Sequence, residues 1–214
     1  MGLTIYDGNQ MNLNPTAAIV DLLHGIASRP WFYDRIQSFA GQKENLDRIA
    51  RHAGALGAGT VVDVGGGTGT SRTLWPTNCR YVCLDLEMPK LEGFRSRVPD
   101  GLAVLSDATQ MPIATGVVDV VMCMAVAHHL TDGMLNQVFG EALRVLRVGG
   151  RRILLDPVLN RKLLAGRILW RLDRGSHPRT AEELRENLEG KFHVVHWEKF
   201  AIYHEYVFGI GVRP

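Results

Sequence analysis

The chain of 214 residues has no hydrophobic run able to cross a bilayer. Its longest uninterrupted apolar stretch, Val120 to Ala127, falls far below the roughly 20 residues a spanning helix needs. It has little net charge. Its 24 Lys and Arg against 22 Asp and Glu leave +2, which gives no reason to expect nucleic acid or an acidic polymer as partner. Cysteine is scarce: Cys79, Cys83 and Cys123 are an odd number without C-x-x-C spacing. That excludes a disulfide frame or zinc site and fits free thiols in a reducing cytoplasm. The opening MGLTIYDGNQ lacks both a basic start and an apolar stretch, so no signal peptide is expected. With 46% apolar and 21% charged residues, the composition is that of an ordinary soluble globular protein. The length suits one domain, with room for an appended subdomain.

Glycine is plentiful, at 23 residues, and clustered. Gly65, Gly66, Gly67 and Gly69 share one loop, and Gly149 and Gly150 another, which marks places where backbone must approach something closely. Residues 1–58 read as a helical cap or lid: Ile19, Leu22, Leu23 and Ile26 recur at helical spacing, as do Leu46, Ile49, Ala50 and Ala53. From 59 to 214 the pattern is that of an α/β core. Thr60–Val64, Arg80–Asp85, Ala103–Leu105, Val117–Val126 and Arg152–Asp156 are short, nearly continuous apolar runs, the mark of parallel strands buried on both faces. Met134 to Val148 has an amphipathic helical pattern, with Gly149-Gly150 as its expected stop. The alternation predicts a doubly wound, Rossmann-like sheet. Two further runs, Phe192–Ala201 and Glu205–Val212, are close enough to pair antiparallel.

The chemistry is expected at the carboxyl ends of these strands. Asp63-Val64-Gly65-Gly66-Gly67-Thr68-Gly69 follows the first strand directly. Glycines there let backbone contact a nucleotide-like ligand, and the next helical turn offers N–H groups to an anion. The spacing is G-x-G-x-G and lacks the third glycine of a dinucleotide fingerprint. No Gly-Lys-Ser/Thr follows, which excludes a P-loop. Asp85, ending the second strand, suits the two hydroxyls of a ribose, and Asp107-Ala108, after the third, an exocyclic adenine amine.

These residues resemble the class I S-adenosylmethionine-dependent methyltransferases, in particular the small-molecule, ubiquinone-biosynthesis-like branch. The resemblance rests on residues 61–69, Cys83-Leu84-Asp85-Leu86, residues 107–112, Val118-Asp119-Val120-Val121 leading to His128-His129-Leu130, and residues 144–150. It covers roughly residues 60–157. It implies a seven-stranded sheet with the last strand antiparallel, and S-adenosylmethionine as cofactor. It also implies the Gly65–Gly69 loop under the methionine part, Asp63 near its amino group, Asp85 on the ribose, Asp107 with Ala108 at the adenine, and Leu86 among the cofactor-binding residues. The resemblance further implies that Met124 and Ala125 line the same site and that Tyr33 reaches it from the lid. Two departures stand out: the segment after Gly69 reaches Pro76 quickly, so the first sheet helix is stunted, and Val148 replaces the proline usual before the Gly-Gly pair.

Methyl transfer needs alignment and exclusion of water more than a metal or a covalent nucleophile. A hydroxyl acceptor would also need a base, and His129 is the candidate; packing against the cofactor is the alternative for both His128 and His129. The segment 157–180 holds an excess of basic residues interleaved with apolar ones. It reads as an amphipathic surface helix, as a pocket in which Arg174 or Arg179 binds an acidic group, or as a peripheral membrane contact. No Asn/Asp-Pro-Pro-Tyr signature of nucleic-acid methylation is present. A small organic acceptor is expected instead: a phenol or quinone, a secondary metabolite, or a lipid- or glycan-linked intermediate. An NAD-dependent oxidoreductase and a non-methylating binder of the same cofactor are the competing readings.

Overall fold

A computed structural model describes residues 41–53, 59–159, 177–202 and 205–214. Most of the expected lid, with Tyr33, and most of the 157–180 segment, with Arg174, lie outside the described residues.

The first helix, α1 (Gln42–Ala53), has an acid in its first turn and Arg51 and His52 in its last, matching the helix dipole. Then follow β1 (Thr60–Val64), a 3-10 turn (Thr70–Leu74), β2 (Arg80–Asp85), α2 (Met88–Arg97), β3 (Leu102–Leu105) and β4 (Val118–Met124). The chain continues through a second 3-10 turn (Ala127–His129), α3 (Asp132–Val145), β5 (Leu146–Val158), α4 (Ala181–Glu189), β6 (His193–Ala201) and β7 (Glu205–Val212). The strands form one seven-stranded sheet in the order β3-β2-β1-β4-β5-β7-β6. The first five are parallel, and β7 runs antiparallel to both β5 and β6.

The continuous apolar runs are explained by two cores, one on each face of the sheet. One joins Val62, Val64, Val121 and Leu154 to Phe139 and Leu184 of α3 and α4. The other joins Val61, Tyr81, Val120 and Ile153 to Ile49 of α1 and Leu91 and Phe94 of α2. After β1 the chain makes only the 3-10 turn before Pro76, so the first sheet helix is indeed stunted. Among the described residues, no helix is long and apolar enough to cross a membrane.

One boundary differs from the sequence expectation. The helix ends at Val145 rather than running to Val148, and Gly149 and Gly150 lie inside β5. They form a bulge: Val118 pairs with Leu146, whereas Val120 already pairs with Arg151. Gly149 takes φ +73°, and a Cβ on Gly150 would stand 2.7 Å from the Arg147 carbonyl oxygen. The glycines therefore bend a strand start and do not stop a helix.

Candidate cofactor site

The glycine loop lies at the carboxyl edge of β1, between the ends of β2 and β4. Gly65, Gly67 and Gly69 all take positive φ (66°, 57° and 75°), which L side chains rarely adopt. Space forbids side chains as well. A Cβ on Gly65 would meet Val126 at 2.4 Å, one on Gly66 would meet Cys83 Sγ at 2.8 Å, and one on Gly69 would meet Phe94 at 2.4 Å. The glycines thus serve the loop's own packing as well as any ligand above it. Gly65 N–H donates to the Leu84 carbonyl at 2.7 Å, tying the loop to β2.

Asp85 is buried where β2 ends. Its Oδ2 accepts from Gly67 N–H at 3.0 Å and its Oδ1 from Glu87 N–H at 2.9 Å. A carboxylate has about four acceptor positions, so two remain for hydroxyls. Leu86 beside it is 66% exposed, a bare apolar surface at the strand end. Asp107 is exposed, and its Oδ1 accepts from Thr109 N–H at 2.8 Å. It therefore caps a local turn, while Ala108 packs on the core. Met124 ends β4, with its sulfur 3.8 Å from the Ser71 hydroxyl. Ala125 has φ +53°, the one positive-φ residue other than glycine among those described. Its N–H donates to the Leu155 carbonyl at 2.8 Å, which holds the strained turn.

Asp63 lies beneath the loop. Tyr81 donates its hydroxyl to Asp63 Oδ2, and a Cβ on Gly66 would stand 2.9 Å from that same oxygen. Burial pushes the Asp63 carboxyl up to about 7, against the hydrogen bonds of Tyr81 and Ser71, which favour the ionised form. Burial also raises the Cys83 thiol, helped by the carboxylates of Asp63 and Asp85.

His129 is exposed on the 3-10 turn after β4, its ring 4.1 Å from that of buried His128. His128 is anchored: its Nδ1 lies 2.7 Å from Asp156 Oδ1. Asp156, at the end of β5, also accepts from the N–H groups of Val126 at 2.9 Å, Ala127 at 2.8 Å and His128 at 3.2 Å. It is the hub of the loop, and sequence reasoning assigned it no role. The available signal was a carboxylate ending an otherwise apolar strand, as at Asp63 and Asp85.

Arg179 corrects an expectation. Its Nε and Nη2 donate to Asp132 Oδ1 at 3.0 and 2.7 Å. Its Nη1 reaches the carbonyls of Ala127 at 2.7 Å and His177 at 3.3 Å, and Nη2 also reaches that of Leu130 at 2.7 Å. All five donors of a guanidinium are thereby occupied, so Arg179 staples the 127–132 loop and is not placed to receive an acidic substrate.

The donor set discriminates among ligands. Residues 63–71 contain no Lys or Arg, and carboxylates stand at the ends of β1, β2 and β3. Of the guanidiniums nearby, Arg97 donates to the Thr68 hydroxyl of the loop itself at 2.9 Å, and Arg72 is turned to the carbonyls of Trp75, Pro76 and Thr77 and to Asp100. A ligand carrying an ammonium, ribose hydroxyls and an adenine amine fits these acceptors, and a polyphosphate does not.

Comparison with known proteins agrees. Residues 62–154 match the family described as a methyltransferase domain. Human thiol S-methyltransferase TMT1A is 28% identical over 130 residues, covering 57% of this chain and 52% of that enzyme. The chain thus spans about half the length of this curated relative. Among solved structures, the Bacillus halodurans C-125 protein BH2331 superposes with a TM-score of 0.69 at 18% identity, over 80% of this chain and 99% of that one. Geranyl diphosphate methyltransferase, in complex with GPP and sinefungin, gives 0.66 at 17% identity, over 80% of this chain and 78% of that one. At such identities the superpositions establish the fold. Together, the strand order, the glycine loop with its acids and the domain match agree on a methyltransferase domain over residues 62–154.

Proposed function

We propose that this protein transfers a methyl group from S-adenosylmethionine to a small organic acceptor, as an enzyme of the small-molecule, ubiquinone-biosynthesis-like branch. The observation that carries the reading is the carboxylate-lined rim of the sheet: a positive-φ glycine loop joined by Gly67 N–H to the Asp85 carboxylate, with Asp63 beneath it. When bound, the cofactor supplies a methyl carbon already activated by its sulfonium. Asp85 orients the ribose, Leu86 beside it offers the cofactor apolar contact, Ala108 lies at the adenine, and Asp107 accepts its amine. Gly65, Gly66, Gly67 and Gly69 lie under the methionine part, and Asp63 draws its ammonium. Met124 and Ala125 form the wall toward the acceptor. His129 takes the acceptor's proton where one must leave, and the Asp156–His128 pair fixes the turn that carries it. A thiol is among the acceptors to be tried first, since a curated relative is a thiol S-methyltransferase. Phenols follow, then lipid- or glycan-linked intermediates. Tyr33 and Arg174 are assigned to the cofactor and to the acceptor on the resemblance and the charge pattern alone.

Calorimetric titration with S-adenosylmethionine, S-adenosylhomocysteine and NAD tests the reading. Micromolar affinity for the two sulfur compounds is expected, weakened at least tenfold by Asp85→Ala, which corresponds to the ~1.4 kcal/mol or more of a lost charge-assisted hydrogen bond. His129→Gln is expected to bind the cofactor normally and to lose transfer to a hydroxyl acceptor. Binding of NAD alone would overturn the reading.

A further inference from the structure

Tyr81 lies in β2 between Arg80 and Val82, on the strand face it shares with Cys83. Its ring is packed against Phe94, with centroids 6.1 Å apart, and is almost wholly buried. A phenylalanine would fill that space equally well. What the hydroxyl adds is one hydrogen bond, donated to the carboxyl of Asp63. Asp63 is out of place, lying in β1 between Val62 and Val64 where a parallel strand buries apolar side chains. Burying a carboxyl and a phenol together costs desolvation that an apolar pair would not, and their mutual hydrogen bond offsets only part of it. The pair lies directly beneath the glycine loop, with Asp63 Oδ2 2.9 Å from where a Cβ of Gly66 would stand.

We propose that Tyr81 is a positioning residue for the cofactor: its hydroxyl holds the Asp63 carboxylate under the glycine loop in the form that attracts the cofactor's ammonium group, so that binding releases one proton from Asp63. The inference rests on the methyl-donor reading above. The step breaks only the Asp63 O–H bond, and the proton passes to solvent. Without cofactor, burial favours the neutral acid, and the carboxyl titrates at about 7. Tyr81 and Ser71 pull toward the anion, and the nearby charge of Asp85 pulls against it. The other ionisable groups facing the pair add no full charge. Burial raises the thiols of Cys83 on β2 and Cys123 on β4. Of the cations, Arg72 lies 5.7 Å over the outer face of the Tyr81 ring and is bonded to Asp100, and Arg97 of α2 is bonded to Thr68. An ammonium above the loop is therefore the charge that can tip Asp63 to its ionised form.

The test is calorimetry of S-adenosylhomocysteine binding to the full chain between pH 5.5 and 7.5, with Tyr81→Phe and Asp63→Asn alongside. For a site that must be ionised and titrates near 7, wild-type affinity is expected to fall roughly twentyfold from pH 7.5 to 5.5. Tyr81→Phe is expected to move that profile to higher pH, so that its affinity at pH 7 is several-fold weaker and recovers as the pH is raised. Asp63→Asn is expected to bind weakly with no pH dependence in this window. The protonated-carboxyl infrared band of the cofactor-free protein gives a readout independent of the ligand. It should titrate near 7 in wild type, higher in Tyr81→Phe, and be missing in Asp63→Asn. A flat wild-type affinity profile, or coincident profiles and bands for wild type and Tyr81→Phe, overturns the proposal. If wild type binds no S-adenosylhomocysteine at any pH, the methyl-donor reading itself fails and this proposal with it.

Discussion

Two buried charges on the same face of β5 are treated in opposite ways. Asp156 is fully buried and accepts three backbone N–H groups and the His128 ring, so its desolvation is offset by bonds that shape the site. Arg152, four residues earlier on the strand, is equally buried, yet its Nε, Nη1 and Nη2 find no nitrogen or oxygen partner among the described residues, only the Cys123 thiol beside it. Its guanidinium carbon lies 5.0 Å over the Phe139 ring, and its register neighbours are Val121 and Gly211. A ring face returns little of what water would have supplied. Arg152→Met keeps most of the volume and removes the stranded charge, so it is expected to stabilise the fold by about 1 kcal/mol in urea unfolding. A loss of stability would mean that the charge is compensated in the folded protein.

At the scale of elements, the β5 bulge is the feature most open to test. A Cβ on Gly150 would meet backbone on two sides, the carbonyl oxygens of Arg147 at 2.7 Å and Val118 at 3.1 Å. Backbone cannot swing aside as a side chain can, so Gly150→Ala is expected to cost about 1–3 kcal/mol. Gly140, inside α3, has open space where its Cβ would be. Gly140→Ala is expected to gain about 0.5–1 kcal/mol through helix propensity and a less disordered unfolded chain. Thermal unfolding of both variants checks the pair, and equal effects would refute the bulge geometry. The remaining termini are orthodox. Thr180 and Glu183 form a reciprocal capping box on α4, and Thr131 caps α3 by accepting from Met134 N–H.

For the whole molecule, stability should respond to pH in two opposite senses. Unfolded, an aspartate titrates near 3.8, whereas folded Asp63 titrates at about 7. Between those values the native state keeps a proton that the unfolded state has released. The contribution of Asp63 is thus fully present below 3.8 and is lost as the pH rises through 7. Glu141 behaves in reverse. The Arg144 guanidinium beside it holds its carboxyl below the usual range, so its contribution is present above 4.5 and lost as the pH falls through its folded value. Melting temperatures of wild type and Asp63→Asn, taken without cofactor from pH 4 to 7.5, are expected to diverge, with the variant gaining on wild type as the pH rises. A constant difference would show that Asp63 is already ionised in the free protein.

The strands and their two-sided burial were legible because an apolar run flanked by glycine and acids has few other uses. The acids at strand ends were legible for the same reason, since Asp63 and Asp85 interrupt an apolar pattern and Asp107 follows the third run two residues on. What the sequence by itself determined is therefore the α/β class, the strand positions and the rim of carboxylates, all set by local pattern. Only the tertiary structure decided what each polar group faces. It turned Arg179 inward onto the 127–132 loop, made Asp156 the hub of that loop, set the Arg152 guanidinium over the Phe139 ring, and brought the Tyr81 hydroxyl of β2 to Asp63 of β1. Hydrogen-bond partners of this kind are set by register and crossing geometry between segments far apart in the chain. No local pattern encodes them.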